Sequence, residues 1–148
     1  MDKVILLVED NPDDEALTLR SLKMNNIRND VVVVRDGAEA LDYLFGTGSY
    51  SGRDMRIMPT VTLLDLNLPK IDGLEVLRRL RSDERTSLIP VIILTSSKEE
   101  QDLIDSYQLG ANSYIRKPVD FVQFAEAIHE LRLYWLVINE PPPTRKGP

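Results

Sequence analysis

Cysteine is missing from all 148 residues, and disulfides, thiolate metal sites and cysteine nucleophiles are excluded with it. Histidine occurs once, as His129, and reads as a partly buried structural residue of the last helix. Basic charge is also short: 18 Lys and Arg stand against 24 Asp and Glu, a formal charge of −6, so non-specific attraction to nucleic acid is not expected. The longest apolar runs are only strand-length, and Asp2 and Lys3 lead into a strand instead of a signal-peptide core. Neither a targeting segment nor a membrane span is expected, which makes the cytoplasm the expected location. No glycine-rich turn follows the first strand, and a dinucleotide-binding fold loses its support. At this length the chain fits one domain with a single substantial core and no separate output domain.

What is present begins with Val4-Ile5-Leu6-Leu7-Val8, five consecutive apolar residues that read as a strand buried on both faces. Glu9 and Asp10 follow at once, and Asn11 and Pro12 supply an N-cap and a first helical residue. The helix from Asp13 to Met24 is expected to bury Ala16, Leu17, Leu19 and Leu22, with its first-turn acids matching the helix dipole. Val31 to Val34 reads as a second buried strand. Thr60 to Leu64 is the third and ends in Asp65, Val91 to Leu94 the fourth, ending in Thr95 and Ser96, and Ser113 to Arg116 the fifth, ending in Lys117-Pro118.

Capping boxes open four of the intervening helices: Asp36 with Glu39, Asp72 with Glu75, Ser97 with Glu100, and Asp120 with Gln123. Val76, Leu77 and Leu80 face inward on the third helix; Leu103, Ile104 and Tyr107 do so on the fourth, which Gly110 terminates. Five βα repeats predict an α/β fold with a parallel sheet, right-handed crossovers and helices on both faces. The repeat leaves strand order open, and the doubly wound order 2-1-3-4-5 suits a chain this short, placing Glu9 and Asp10 beside Asp65.

In that arrangement three carboxylates, the Thr95 hydroxyl and the Lys117 ammonium converge on one end of one sheet. Adjacent acids repel unless a cation lies between them, and a hard, oxygen-seeking ion such as Mg²⁺ fits this donor set. A carboxylate so placed can act as the nucleophile in forming an aspartyl phosphate, with the ion, Lys117 and Thr95 stabilising the phosphoryl oxygens. Pro118 leaves the isomer of the bond before it open.

Val8-Glu-Asp-Asn11, Leu64-Asp-Leu-Asn-Leu-Pro69 with Asp72-Gly73, Leu94-Thr-Ser96 and Tyr114-Ile-Arg-Lys-Pro118 resemble, in this order, the motifs of response-regulator receiver domains of two-component signalling. The resemblance covers roughly Lys3 to Leu133. It implies that Asp65 takes a phosphoryl group from the phosphohistidine of a sensor histidine kinase. It also implies Mg²⁺ held by Asp10 and Asp65, by Glu9 through water and by the Asn67 backbone carbonyl, with Thr95 and Tyr114 as a switch pair. The protein would then catalyse only its own phosphorylation and dephosphorylation and signal by protein interaction. A phosphatase using an aspartate nucleophile would want an acid two residues beyond it, where Asn67 stands. A receiver-shaped binding module that is never phosphorylated is the alternative.

Departures from the pattern are informative. Asn112 and Ser113 stand where many receivers carry two acids, outside the chemistry. The stretch from Gly46 to Pro59 is long for an α/β connection and reads as a tolerated surface insertion, with Met55 and Met58 as packing or loop residues. Arg78, Arg79 and Arg81 read as a solvated helix face able to meet an acidic partner. The last helix is expected to run to about Asn139, bounding a domain at 1–139, and the proline-rich remainder, 140–148, is expected to be a disordered tail. Leu133 to Ile138 are six apolar residues in succession, more than one helical stripe can bury, so some must meet another surface: either the helix end folds back onto its own domain or, as is expected, Tyr134, Trp135 and Leu136 form a homodimer contact. The long loop and this extension resemble the phytochrome-associated single-domain response regulators, which implies a bacteriophytochrome as the kinase.

Overall fold

The computed structural model describes residues 3–131. The five apolar runs form a single parallel sheet from β1 (Val4–Val8), β2 (Asp30–Val34), β3 (Val61–Asp65), β4 (Val91–Thr95) and β5 (Ser113–Arg116), in the order β2-β1-β3-β4-β5. Residues alternate across each strand, so the sheet feeds two cores. Leu6, Val8, Leu64 and Ile93 face α2 (Gly37–Phe45) and α3 (Gly73–Ser82), whereas Ile5, Leu7, Leu63 and Leu94 face α1 (Pro12–Met24) and α5 (Phe121–Glu130). This double burial is why β1, β3 and β4 are apolar almost without interruption.

Caps set the helix starts. Asn11 accepts from the amides of Asp13 and Asp14, and Asp36, Asp72 and Asp120 accept from Glu39, Glu75 and Gln123. The expected box at Ser97 and Glu100 does not form. Ser97 Oγ accepts from the amide of Glu99 and donates to Asp102, and α4 (Glu100–Gln108) starts behind Glu99 with no side-chain cap. Gly110 follows α4 at φ +97°, a conformation that suits glycine.

Four burial expectations are corrected. Thr18, Ser21 and Leu22 are the buried residues of α1, while Ala16 and Leu17 are exposed, because the helix is rotated to let Ser21 donate to the Val119 carbonyl. In α4 only Ser106 is buried; Ile104 and Tyr107 are 40% and 50% exposed and Leu103 is half-buried. Strand β2 lies at the sheet edge, and of its four valines only Val34 is fully buried. His129, expected to be partly buried, is exposed. The expected helix end near Asn139, the 1–139 and 140–148 boundaries, and the expected contact through Tyr134, Trp135 and Leu136 lie outside the described residues.

The stretch between α2 and β3 is no loose insertion. Its single 3-10 turn, Gly48–Tyr50, sets the Tyr50 ring edge-on to Tyr43 with centroids 5.2 Å apart, and the Tyr50 hydroxyl donates to Glu39 at 2.7 Å. Arg53 lies over the Tyr43 ring and donates to the carbonyls of Tyr43 and Ile57 at 2.7 and 2.6 Å.

Candidate functional site

Parallel strands deliver their carboxyl ends to one edge, and the register does the rest. Val8 pairs with Leu64 and Asp65 with Leu94, so the residues after β1, at the end of β3 and at the end of β4 share a rim. Glu9 is fully buried, Asp65 is 3% exposed, and Asp10 is exposed. Each of these acids offers an oxygen, all within 4.8 Å of one another.

Lys117, one residue beyond β5, reaches into this cluster. Its Nζ lies 2.6 Å from Glu9 Oε1, 2.9 Å from Asp65 Oδ2 and 2.9 Å from Asp14 Oδ2, with the side chain only 7% exposed. The lysine is fixed from behind as well: its amide donates to the Thr95 carbonyl, and the Lys117–Pro118 bond is cis. Burial opposes the lysine's charge, but hydrogen bonds to Glu9, Asp14 and Asp65 outweigh it and raise its pKa. Burial, with the Asp65 charge adding to it, pushes the Glu9 carboxyl up to about 7 against the pull of Lys117.

The donor set suits a divalent ion. Despite the short approach of Lys117, Glu9 Oε1 is buried with no aligned hydrogen-bond donor. Three carboxylates that offer oxygens within 4.8 Å of one another, with one ammonium between them, are what a hard cation would satisfy.

Asp65 spends its two oxygens on different donors. Oδ1 accepts from the amide of Asn67 at 3.1 Å and Oδ2 from Lys117. Asn67 itself is exposed, with its backbone at the rim. The loop after Asp65 folds back so closely that a Cβ on Gly73, the first residue of α3, would stand 2.2 Å from the Asp65 carbonyl oxygen. Thr95 is fully buried at the end of β4, and its hydroxyl accepts from the amide of Ser97 at 3.1 Å. Tyr114, opposite Ile93, is half-buried against the α2/α3 core, and its hydroxyl is a buried oxygen with no hydrogen-bond partner.

Every pocket residue expected from strand ends is therefore on this rim, and one was missed. Asp14 belongs to a run of first-turn acids, Asp13 to Glu15, which the helix dipole alone accounts for. The available signal was its place four residues beyond Asp10, on the turn of α1 that opens directly from the pocket. Asn112, expected to stand outside the chemistry, does: its side chain accepts from the Val91 amide and from Arg81.

A doubly wound sheet carrying a lysine-bound acid cluster at its switch point places the molecule among receiver-type α/β proteins. The family model for the response regulator receiver domain matches residues 5–129. The chain belongs to this family, a family of signalling proteins that take a phosphoryl group on an aspartate. It is similar to the bacteriophytochrome response regulator RtBRR, with 53% identity and a TM-score of 0.85 over 97% of this chain and 86% of that one. It is 38% identical over 134 residues to response regulator Rcp1 of Synechocystis, covering 90% of this chain and 89% of Rcp1. A crystal structure of the Mn(2+)-bound form of Rcp1 matches with 37% identity and a TM-score of 0.76, over 96% of this chain and 99% of that one. A crystal structure of the phosphorylated cyanobacterial phytochrome response regulator RcpA matches with 38% identity and a TM-score of 0.77, over 97% and 100%.

Proposed function

We propose that Asp65 is the residue that accepts the phosphoryl group, and that the donor is the phosphohistidine of a sensor histidine kinase. The observation that carries this reading is the placing of Asp65: buried at the switch point, with one oxygen on Lys117 and oxygens of Glu9 and Asp10 within 4.8 Å. An Asp65 carboxylate oxygen bonds to phosphorus as the P–N bond of the kinase histidine breaks, and the electron pair leaves on the imidazole nitrogen. Lys117 remains protonated and donates to a phosphoryl oxygen; the Thr95 hydroxyl turns from Ser97 to another. Tyr114 settles behind it, completing a relay from the pocket to the surface. Asp10, Asp65 and the Asn67 backbone carbonyl, with Glu9 through water, would hold Mg²⁺, which would supply the positive charge that makes an incoming phosphoryl group tolerable here. The protein catalyses no turnover beyond its own phosphorylation and dephosphorylation.

The kinship with RtBRR supports a bacteriophytochrome as the kinase. The apolar succession from Leu133 to Ile138 supports a homodimer through Tyr134, Trp135 and Leu136. A net charge of −6 supports protein partners over nucleic acid, and no helix among the described residues is long and apolar enough to cross a membrane, which accords with a cytoplasmic setting.

The test is incubation with Mg²⁺ and a small phosphoramidate, followed by intact mass. One phosphoryl adduct is expected on the parent, none on Asp65→Asn and none under chelation. A parent that stays unmodified with several donors overturns the reading in favour of a receiver-shaped binding module.

A further inference from the structure

Lys117 has three protons to donate and three carboxylates around it, of which Glu9 and Asp65 belong to the acid cluster while Asp14 does not. Asp14 stands on the first turn of α1, and its side chain is 30% exposed, so it approaches the ammonium from the solvent side of the pocket. Its Oδ2 accepts from Lys117 Nζ at 2.9 Å, the same distance as the bond to Asp65.

We propose that Asp14 is a positioning residue for phosphoryl transfer, holding the Lys117 ammonium in place while that lysine exchanges its bond to Asp65 for one to a phosphoryl oxygen. The inference rests on the reading of Asp65 as the acceptor. As the O–P bond forms and the donor's P–N bond breaks, the electron pair leaves on the donor nitrogen, the Asp65 carboxylate gives up its negative charge, and the phosphoryl oxygens bring theirs into the pocket. The bond that tied Lys117 to Asp65 therefore weakens at the moment its charge is needed. Glu9 lies closer, at 2.6 Å, but its carboxylate belongs to the acid cluster that a divalent ion would draw on. Asp14 takes part in neither change. A lysine on a flexible four-carbon stem delivers charge to a fixed point only if something restrains the stem, and among the described residues Asp14 is the carboxylate placed to do so.

Phosphorylation by a small phosphoramidate at saturating Mg²⁺ is followed by intact mass, with Mg²⁺ affinity measured separately by calorimetry and folding checked by thermal melting. Asp14→Ala is expected to slow phosphorylation about tenfold, the loss of one charge-assisted hydrogen bond. Asp14→Asn, whose amide oxygen still accepts, recovers most of the rate. Mg²⁺ affinity stays at the parental value, and in a Lys117→Ala background Asp14→Ala has no further effect. Should Asp14→Ala not fold, Asp14→Ser makes the same comparison.

A parental rate in Asp14→Ala, an equal loss in the Lys117→Ala background, or a fall in Mg²⁺ affinity that accounts for the slower rate each overturns the inference alone. A parent that takes up no phosphoryl group overturns the acceptor reading and this inference together.

Discussion

Arg81 shows how three neighbouring arginines come to do different things. Arg78 and Arg79 pair with Glu75 on the surface of α3, as a solvated face should. Arg81 instead turns inward and donates to the carbonyls of Gly110, Ser87 and Ile89 and to Asn112, tying the end of α3 to the loops that lead into β4 and β5. Arg81→Ala leaves several acceptors without donors and is expected to cost roughly 2 kcal/mol by chemical denaturation; Arg78→Ala is expected to leave the midpoint unchanged. Sequence alone could not separate the three, since their identity and helical neighbourhood are alike and only the distant carbonyls distinguish them. Asp14 escaped notice for a related reason: a second, sufficient explanation already covered it. Tyr50 was equally hidden within a stretch that reads as an insertion. Burial first, then its hydrogen bond to Glu39, push the Tyr50 phenol from 10 up to about 12. Because the folded pKa is the higher one, the stabilisation is complete below pH 10 and lost as pH rises through about 12. Phenolate absorbance should show a late-titrating tyrosine in the parent that is missing from Tyr50→Phe.

Among the helices, α4 is the one held least. It buries only Ser106 and lacks the side-chain cap that Asn11, Asp36, Asp72 and Asp120 give the others. Its amides are expected to exchange with deuterium at least about tenfold faster than those of α3, in line with the few apolar groups that opening would expose. Exchange as slow as in α3 would contradict this account. The strands, by contrast, were largely legible, because burial on both faces leaves β1, β3 and β4 as nearly continuous apolar runs of strand length. The placing of the pocket side chains was legible for the same reason. Once Glu9, Asp65, Thr95 and Lys117 are recognised as residues at strand ends, parallel pairing in the order 2-1-3-4-5 brings them together. What periodicity could not deliver was the rotation of α1, which depends on the Ser21 hydroxyl meeting a carbonyl nearly a hundred residues away.

For the whole molecule, association through the last helix would double the display of any phosphorylation-driven change. Trp135→Ala is expected to sediment as a monomer where the parent sediments as a dimer; the same monomeric mass for both discards that interface. The two-core architecture also constrains how a signal leaves the pocket. With no room for even a methyl group between Gly73 and the Asp65 carbonyl, and with the Gly73 amide bonded to the Leu66 carbonyl, Asp65 and the first turn of α3 are packed backbone to backbone. A bulkier residue at position 73 would force the Asp65 backbone off its seat. A displacement of Asp65 would meet that packing on the α3 side, whereas Thr95, across the rim, leads toward α4, which buries only Ser106.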